Sequence, residues 1–406
     1  MTTTLAQQPG SATRVHLDPY DHQFHWDPYP QYEALRKHDP VYYNEELGIW
    51  LLTKWDDVHY AFRDLKSFIN TGATSLEKDS TEKLPFPMFI FSDPPDHTRV
   101  RSLFAPLMTP DGVRRLEDYT RRKAASLIES RLASGKIDFV ADLGCFLPMD
   151  VISTLTSVPP EDQDMVRGWA DDLIAREDKQ HELSERNVQG FMNMARYFDE
   201  HARKHAEGPY GDDLIGIMMR AERDGVLRHD EVIGTLILLA IAGNETTTKL
   251  IGNMAYRLWQ HPEQRRWLVE DPSLIAKAVE ETLRFDGSSQ IIVRRVGKDI
   301  EMRGKQLKAG DRVGLCIISA NRDPDKFENP DVYDIRRGSR DHMAFGFGIH
   351  SCLGAALARL ETRVVFEEVL KRIPDYQIDE SGLQRAHNPN VRGFTHVPAR
   401  FEPVTG

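Results

Sequence analysis

Apolar positions recur every three and four residues over long stretches of this chain, with charged residues between them, the pattern of helices that bury one face. The segment PDGVRRLEDYTRRKAASLIESRLASG, from Pro110, carries that pattern as far as Gly135, a residue suited to closing a helix. The same spacing predicts helices over about 162–176, 188–205, 230–260, 272–285 and 353–372. Strand patterns are short and local. PVYYNEELGIWLLTK, 40–54, sets β-branched and aromatic residues around a turn and predicts a hairpin. QIIVRRVGKDIEMRGKQLKAGDRVGLCI, 290–317, predicts several strands punctuated by Gly304 and Gly310.

Helical and strand patterns do not alternate, which argues against a doubly wound parallel sheet. No internal repeat and no linker rich in Gly, Ser or Pro interrupts the chain. The expectation is a single, mainly α-helical domain with a small β region over 15–406, preceded by a flexible polar N-terminus, 1–14. The longest apolar run, VIGTLILLAIAG at 232–243, falls short of the ~20 residues that span a bilayer and predicts a buried core helix.

Composition narrows the function. Of 406 residues, 40% are hydrophobic and 28% charged, as in a soluble globular protein with a large core. A formal net charge of -11 argues against a general nucleic-acid binder, which needs a positive face. Cys145, Cys316 and Cys352 are widely spaced and odd in number, which fits a reducing compartment, the cytoplasm, better than a disulfide framework. MTTTLAQQPGSATR lacks a basic region and an apolar core, so it reads as neither signal peptide nor anchor.

Cys352 is the first chemical signal. A lone cysteine is usually a small core hydrophobe. Here Phe345-Gly346-Phe347-Gly348-Ile349-His350-Ser351-Cys352-Leu353-Gly354 delivers it through a glycine-rich loop to the first turn of a helix. Unpaired N–H groups and partial positive charge at a helix N-terminus favour thiolate over thiol. Gly354, Ala355 and Ala356 leave that helix start nearly bare, so that something wide and flat can lie against it. The segment resembles the haem-binding signature of the cytochrome P450 family, Phe-x-x-Gly-x-x-x-Cys-x-Gly, matched by Phe345, Gly348, Cys352 and Gly354, with His350 as in bacterial members. From the composition, a chance match is expected in roughly one such chain per two thousand.

The resemblance implies a P450 fold, with haem b (iron protoporphyrin IX) buried between the long central helix and the helix after Cys352, whose thiolate is the iron ligand. Buried propionates need cations. The family's His-x-x-x-Arg pair after Asp-Pro-Pro corresponds to His97 and Arg101 after Asp93-Pro94-Pro95. Arg294 sits where another propionate arginine is expected, with Arg295 as the open alternative, and His350 completes the set. Ala242, Gly243, Phe345, Gly346 and Gly354 are expected against the cofactor. Glu281 and Arg284 match a buried structural pair of the family. The arginine that usually locks it is replaced, since Pro330-Asp331-Val332-Tyr333 carries Val332 there, leaving Arg336 or Arg337 as substitutes.

In the middle of the predicted 230–260 helix stands AIAGNETTTK, where a glycine and three threonines predict a weakened or kinked helix. The family's oxygen-binding motif, Ala-Gly-x-(Asp or Glu)-Thr-Thr, is met by Ala242, Gly243, Glu245, Thr246 and Thr247. Reductive cleavage of O2 consumes protons, which a threonine hydroxyl can position and a neighbouring carboxylate can relay from solvent. Thr246 is assigned the first role and Glu245 the second, and Asn244, which cannot ionise, has none.

These features imply a soluble bacterial-type haem-thiolate monooxygenase that hydroxylates a hydrophobic organic substrate; steroids, fatty acids, terpenoids and macrolides all remain open. Position in the family pattern puts Met88, Phe89, Leu238, Ile241, Ala242, Ile291 and Val391 at the substrate. No dinucleotide fingerprint, flavin segment or iron–sulfur cysteine cluster is evident, so NAD(P)H electrons are expected through a ferredoxin and its reductase. Docking is expected at a basic patch on the cysteine side, with Arg336, Arg337 and Arg340 as candidates, and a monomer without membrane anchor is implied. A haem-thiolate sensor or electron carrier is the alternative; it would need the cysteine segment but not Glu245 and Thr246.

Overall fold

The structure, a computed structural model, describes residues 15–72, 76, 86–178 and 182–403. The predicted flexible segment 1–14 lies outside them. A hairpin of β1 (Val41–Asn44) and β2 (Ile49–Leu52) forms where alternation predicts it. After β3 (Phe68–Ile69) come the helices α1 (Asp96–Phe104), α2 (Glu117–Leu132), α3 (Leu147–Thr156), α4 (Pro160–Ile174), α5 (Glu185–His205), α6 (His229–Gln260) and α7 (Ile275–Asp286). Strands β4 (Ile291–Val296) and β5 (Arg312–Cys316) follow, then α8 (Ala355–Arg372). The sheet runs β1-β2-β5-β4-β3, parallel only between β2 and β5. Its parallel pair sets Leu51 opposite Gly314, where an added Cβ would lie 2.6 Å from the Leu51 side chain. The tight packing explains a glycine in mid-strand.

α6, at 32 residues, is ~48 Å long and packs against α3, α4, α5, α7 and α8. Its two halves belong to different cores. Val232, Ile233, Leu236 and Ile237 join one apolar cluster, and Leu250, Ile251, Met254 and Leu258 another. Residues 241–249 lie between them.

The sequence predicts a weakened helix at this junction, and α6 is instead unbroken. Thr246 Oγ1 donates to the Ala242 carbonyl, one turn back, at 3.1 Å. Thr248 Oγ1 donates to the Gly144 carbonyl, so its hydroxyl ties α6 to the segment before α3 rather than disrupting its own helix. A Cβ on Gly243 would meet Ile152 of α3 at 3.0 Å. The glycine thus serves close helix packing, which offsets its cost of about 1 kcal/mol in helix propensity.

The helix predicted from Pro110 divides into a short turn, Pro110–Arg114, and α2; Gly135, at φ +62°, lies beyond the cap residue Ala133. The stretch 139–156 is, by length and composition, apolar enough to cross a membrane, with a mean hydropathy of 1.4, but 72% of it is buried inside the fold.

The Glu281–Arg284 pair is fully buried, not a surface pair. Arg284 bonds both Glu281 oxygens and donates to the carbonyls of Asn321, Pro330 and Val332. Arg337 closes the group, with Nε 3.4 Å from Glu281, and donates to the Glu328 carbonyl. It is the further cation beside Glu281 for which Arg336 and Arg337 were the alternatives, and this contact takes it out of the expected docking patch. Replacing Arg284 by Ala strands a buried carboxylate and is expected to cost about 3–5 kcal/mol. A lowered urea midpoint checks this; an unchanged midpoint contradicts it.

Candidate active site

Cys352 is held by a tight loop. Its N–H donates to the Phe345 carbonyl at 2.7 Å, and Gly346 N–H donates to Met343 at 2.8 Å. Gly348 requires glycine: its φ is +73°, and a Cβ would lie 2.9 Å from the Phe62 carbonyl oxygen. Arg101 Nη2 donates to the Ser351 carbonyl at 2.7 Å, tying α1 to the loop. Glu280 of α7 binds His342 at 2.9 Å and Arg359 of α8 at 2.6 Å, and these contacts hold its carboxyl down at about 2 against the opposing effect of burial. Arg359 also lies over the Phe345 ring at 4.5 Å. The loop is thus clamped from both flanking helices.

The thiol itself is deep in the protein yet exposed, because it faces open internal space. Burial raises its pKa, and the Gly354 N–H, Arg101 and Arg359 only partly oppose that. The expectation that the helix N-terminus alone favours thiolate is therefore corrected: desolvation outweighs it in the protein alone. Beside the sulfur, a Cβ on Gly354 would meet no atom within 4 Å.

Four basic side chains gather nearby. The rings of His97 and His350 lie 3.9 Å apart. Both sense Arg101, Arg294 and the single carboxylate Asp93. Burial, then these cations, push His97 down to about 4; burial, then His97 and Arg294, push His350 down to about 3, so at neutral pH both are uncharged in the protein alone. Asn70 Nδ2 lies 3.2 Å from His350 Nδ1, which assigns the ring proton to Nε2. That Nε2, and both nitrogens of His97, are buried without a partner among the described residues. Arg294 is 5% exposed and donates only to the carbonyl of Val293 among the described bonds, whereas Arg295 turns away to the Gly72 carbonyl at 2.9 Å. The cluster favours Arg294 over its neighbour as the cation facing this space.

On α6, Ala242 is exposed and Ile241, Gly243 and Thr246 are half-buried, although the helix runs through the middle of the molecule. Leu238, Leu353 and Ala356 are also incompletely covered. Glu245 turns to another side: it is buried, with Lys249 Nζ at 3.2 Å.

The family model for cytochrome P450 matches residues 178–374. A putative cytochrome P450 123 of Mycobacterium tuberculosis is 39% identical over 386 residues, 94% of this chain and 96% of the relative. The chain belongs to the cytochrome P450 family. The Vitamin D(3) 25-hydroxylase of Pseudonocardia autotrophica is 36% identical, covering 95% of this chain and 96% of its own. The crystal structure of CYP109E1 from Bacillus megaterium in complex with testosterone superimposes with a TM-score of 0.88 at 31% identity, over 94% of this chain and 99% of that one. The protein is accordingly a P450 monooxygenase with the mainly α P450 fold, and its prosthetic group is haem.

The residues present fit that group. A thiol opens to internal space beside a bare Gly354, and buried imidazole nitrogens without partners stand with Arg101 and Arg294 where two carboxylates would find donors. A bound metal cation would reverse the balance at Cys352, since coordination deprotonates a thiol outright.

Of the residues expected at the substrate, Leu238 and Ile241 share the open face of α6, and Met88 and Phe89 pack into the apolar cluster beside it. Val391 lines a different, outer cavity. Ile291 is fully buried in the sheet core against Gly314, because the alternation of β4 turns it from that space. Some groups carry no signal in spacing: Glu280 and Lys249 act through partners that only folding brings together, and Glu361, wholly buried, has its pKa raised by burial alone. Gly348→Ala is expected to displace the ligand loop and lower the haem-to-protein ratio of purified protein severalfold; full loading would contradict the steric argument.

Proposed function

We propose that this P450 hydroxylates a hydrophobic, steroid-sized substrate, with Cys352 as iron ligand and Glu245 and Thr246 as the proton path. The observation that carries the reading is the joint placement of an accessible internal thiol, an uncompensated basic cluster and a half-buried threonine beside an apolar helix face. The name of the 25-hydroxylase relative and the testosterone bound to CYP109E1 support the size and class of substrate.

In this reading His97, Arg101, Arg294 and His350 hold the two propionates, their N–H groups turned from orphans into charge-assisted donors. Ala242, Gly243, Phe345, Gly346 and Gly354 leave room for the ring. Bound haem supplies the reductive activation of O2. Leu238, Ile241, Met88 and Phe89 exclude water and orient the substrate by apolar contact. The Thr246 hydroxyl, held by the Ala242 carbonyl, presents its lone pairs and can pass on a proton received from the Glu245 side.

Electrons come from NAD(P)H through a ferredoxin and its reductase, in the cytoplasm. Arg336 and Arg340 remain exposed for docking, although Arg336 lies over the Trp267 ring at 4.0 Å and pairs with Asp334 at 3.6 Å.

Thr246→Ala tests the proton role. Positioned acid–base groups contribute about 10²-fold or more, so product formed per NAD(P)H consumed is expected to fall at least ~10-fold. Unchanged coupling would remove Thr246 from the mechanism. A library screened for the low-to-high spin shift is expected to return steroid-like compounds; a response confined to small polar molecules would contradict the substrate class.

A further inference from the structure

Alternation along the C-terminal hairpin places a charge where an apolar residue is expected. The strand Gln384–Arg385 pairs antiparallel with Phe394–His396; Gln384 faces solvent, while Arg385 turns inward and is 5% exposed. Its guanidinium stacks on the Phe394 ring at 3.7 Å, with the rings of Trp26 and Tyr256 further off at 5.8 and 5.9 Å. Stacking serves the flat face of the group and leaves its N–H edge unserved. Arg385 Nε and Nη1 are buried and have no hydrogen-bond partner among the described residues.

The acid nearby is already taken. Asp286, the carboxylate that Arg385 senses, is wholly buried and bound by Arg257 at 2.7 Å, by Arg392 at 2.8 Å and by the Tyr29 hydroxyl at 3.1 Å. Three guanidinium groups thus gather around one buried carboxylate, and an unpaired buried charge is costly. Burial, then Arg392, pull Arg385 down to about 9, so it keeps its charge at neutral pH. Histidines stand at the same end of the hairpin. His387 stacks on His22 with ring centroids 3.4 Å apart and lies 5.6 Å from His25. His387 Nδ1, His22 Nε2 and His25 Nδ1 are all buried without a partner among the described residues. Partnerless imidazole nitrogens beside an uncompensated guanidinium are the combination found around His97, His350 and Arg294.

Arg385 and His387 line the outer cavity, whose volume is about 510 Å³. A space of that size takes an organic molecule. Ile174, Leu383 and Val391 make apolar parts of its wall. Two acids, Asp171 and Glu245, also line it, and both are engaged with other cations: Lys249 holds Glu245 at 3.2 Å, and Asp171 senses Lys249 and Arg167.

We infer that this cavity binds an organic acid, whose carboxylate pairs with the Arg385 guanidinium, with His387 as a second donor, and whose apolar body lies along Ile174, Leu383 and Val391. The site is separate from the haem space and does not rest on the substrate proposed there. An inorganic anion fits less well, because it would leave the apolar wall uncovered. Binding is to the folded chain alone, so occupancy also stabilises the protein.

Calorimetric titration of the holoenzyme with 4-bromophenylacetate tests the site, with the uncharged 4-bromophenylacetamide and inorganic phosphate as controls. Wild type should bind 4-bromophenylacetate at least ~10-fold more tightly than either control, since a bond between charged groups contributes about a decade or more of affinity. Arg385→Gln should lose at least ~10-fold, and Arg385→Lys, which keeps the charge but not the fork, should recover part of the loss. Both variants should retain the haem content and Soret spectrum of wild type. Anomalous scattering from bromine in crystals of the wild-type holoenzyme should place the ligand beside Arg385, which locates the site even where a variant folds poorly. No binding at millimolar concentration, equal affinity in folded Arg385→Gln, equal affinity for the amide, or bromine in the haem space with none beside Arg385 would each overturn the anion site. Phosphate bound as tightly as 4-bromophenylacetate would overturn the organic class of the ligand.

Discussion

Burial of the Cys352 sulfur is the constraint on which the site depends. The interior disfavours a thiolate, and the N–H of Gly354 with Arg101 and Arg359 only partly counters this. The protein therefore builds a position that a cation completes. The same logic recurs beside it, where His97 and His350 are pushed to their neutral forms by burial and by each other's company with Arg101 and Arg294. An anion there restores the balance, so metal and carboxylates each relieve a cost that the folded chain carries alone.

Holding such a site open requires rigid surroundings. The ligand loop is fixed by Gly348 against Phe62, by Arg101 on Ser351 and by the Glu280–His342–Arg359 clamp. α6 supplies the facing wall and stays regular through contacts with its neighbours: Thr248 donates to the Gly144 carbonyl, and Gly243 packs closely against Ile152. Its two ends are anchored in separate apolar cores, which leaves the chemistry at the seam. There one turn of helix turns Ala242 and Thr246 to the interior space and Glu245 to the outer cavity.

Much of this was legible in the chain. Helical periodicity located α4 to α6 and α8 within a few residues, and the Phe345–Gly354 segment singled out Cys352 through its match to the family's haem-binding signature, which chance seldom produces. What was not legible lies in long-range pairing. The parallel contact of β2 with β5 joins residues far apart in sequence, and only the folded chain decides that Arg337, not Arg336, is the cation beside Glu281. A kink was expected of α6 from local propensity, and tertiary contacts overrode it. Ile291 shows the same limit: its position in the family pattern suggested the substrate pocket, while strand alternation buries it in the sheet core.

The account turns on sulfur as the fifth ligand of haem iron. Reducing the purified protein under carbon monoxide and recording its Soret spectrum addresses that directly. Thiolate ligation by Cys352 predicts the strongly red-shifted band of a haem-thiolate complex. A band at the shorter wavelength of imidazole ligation, in protein that is folded and fully loaded with haem, would contradict it.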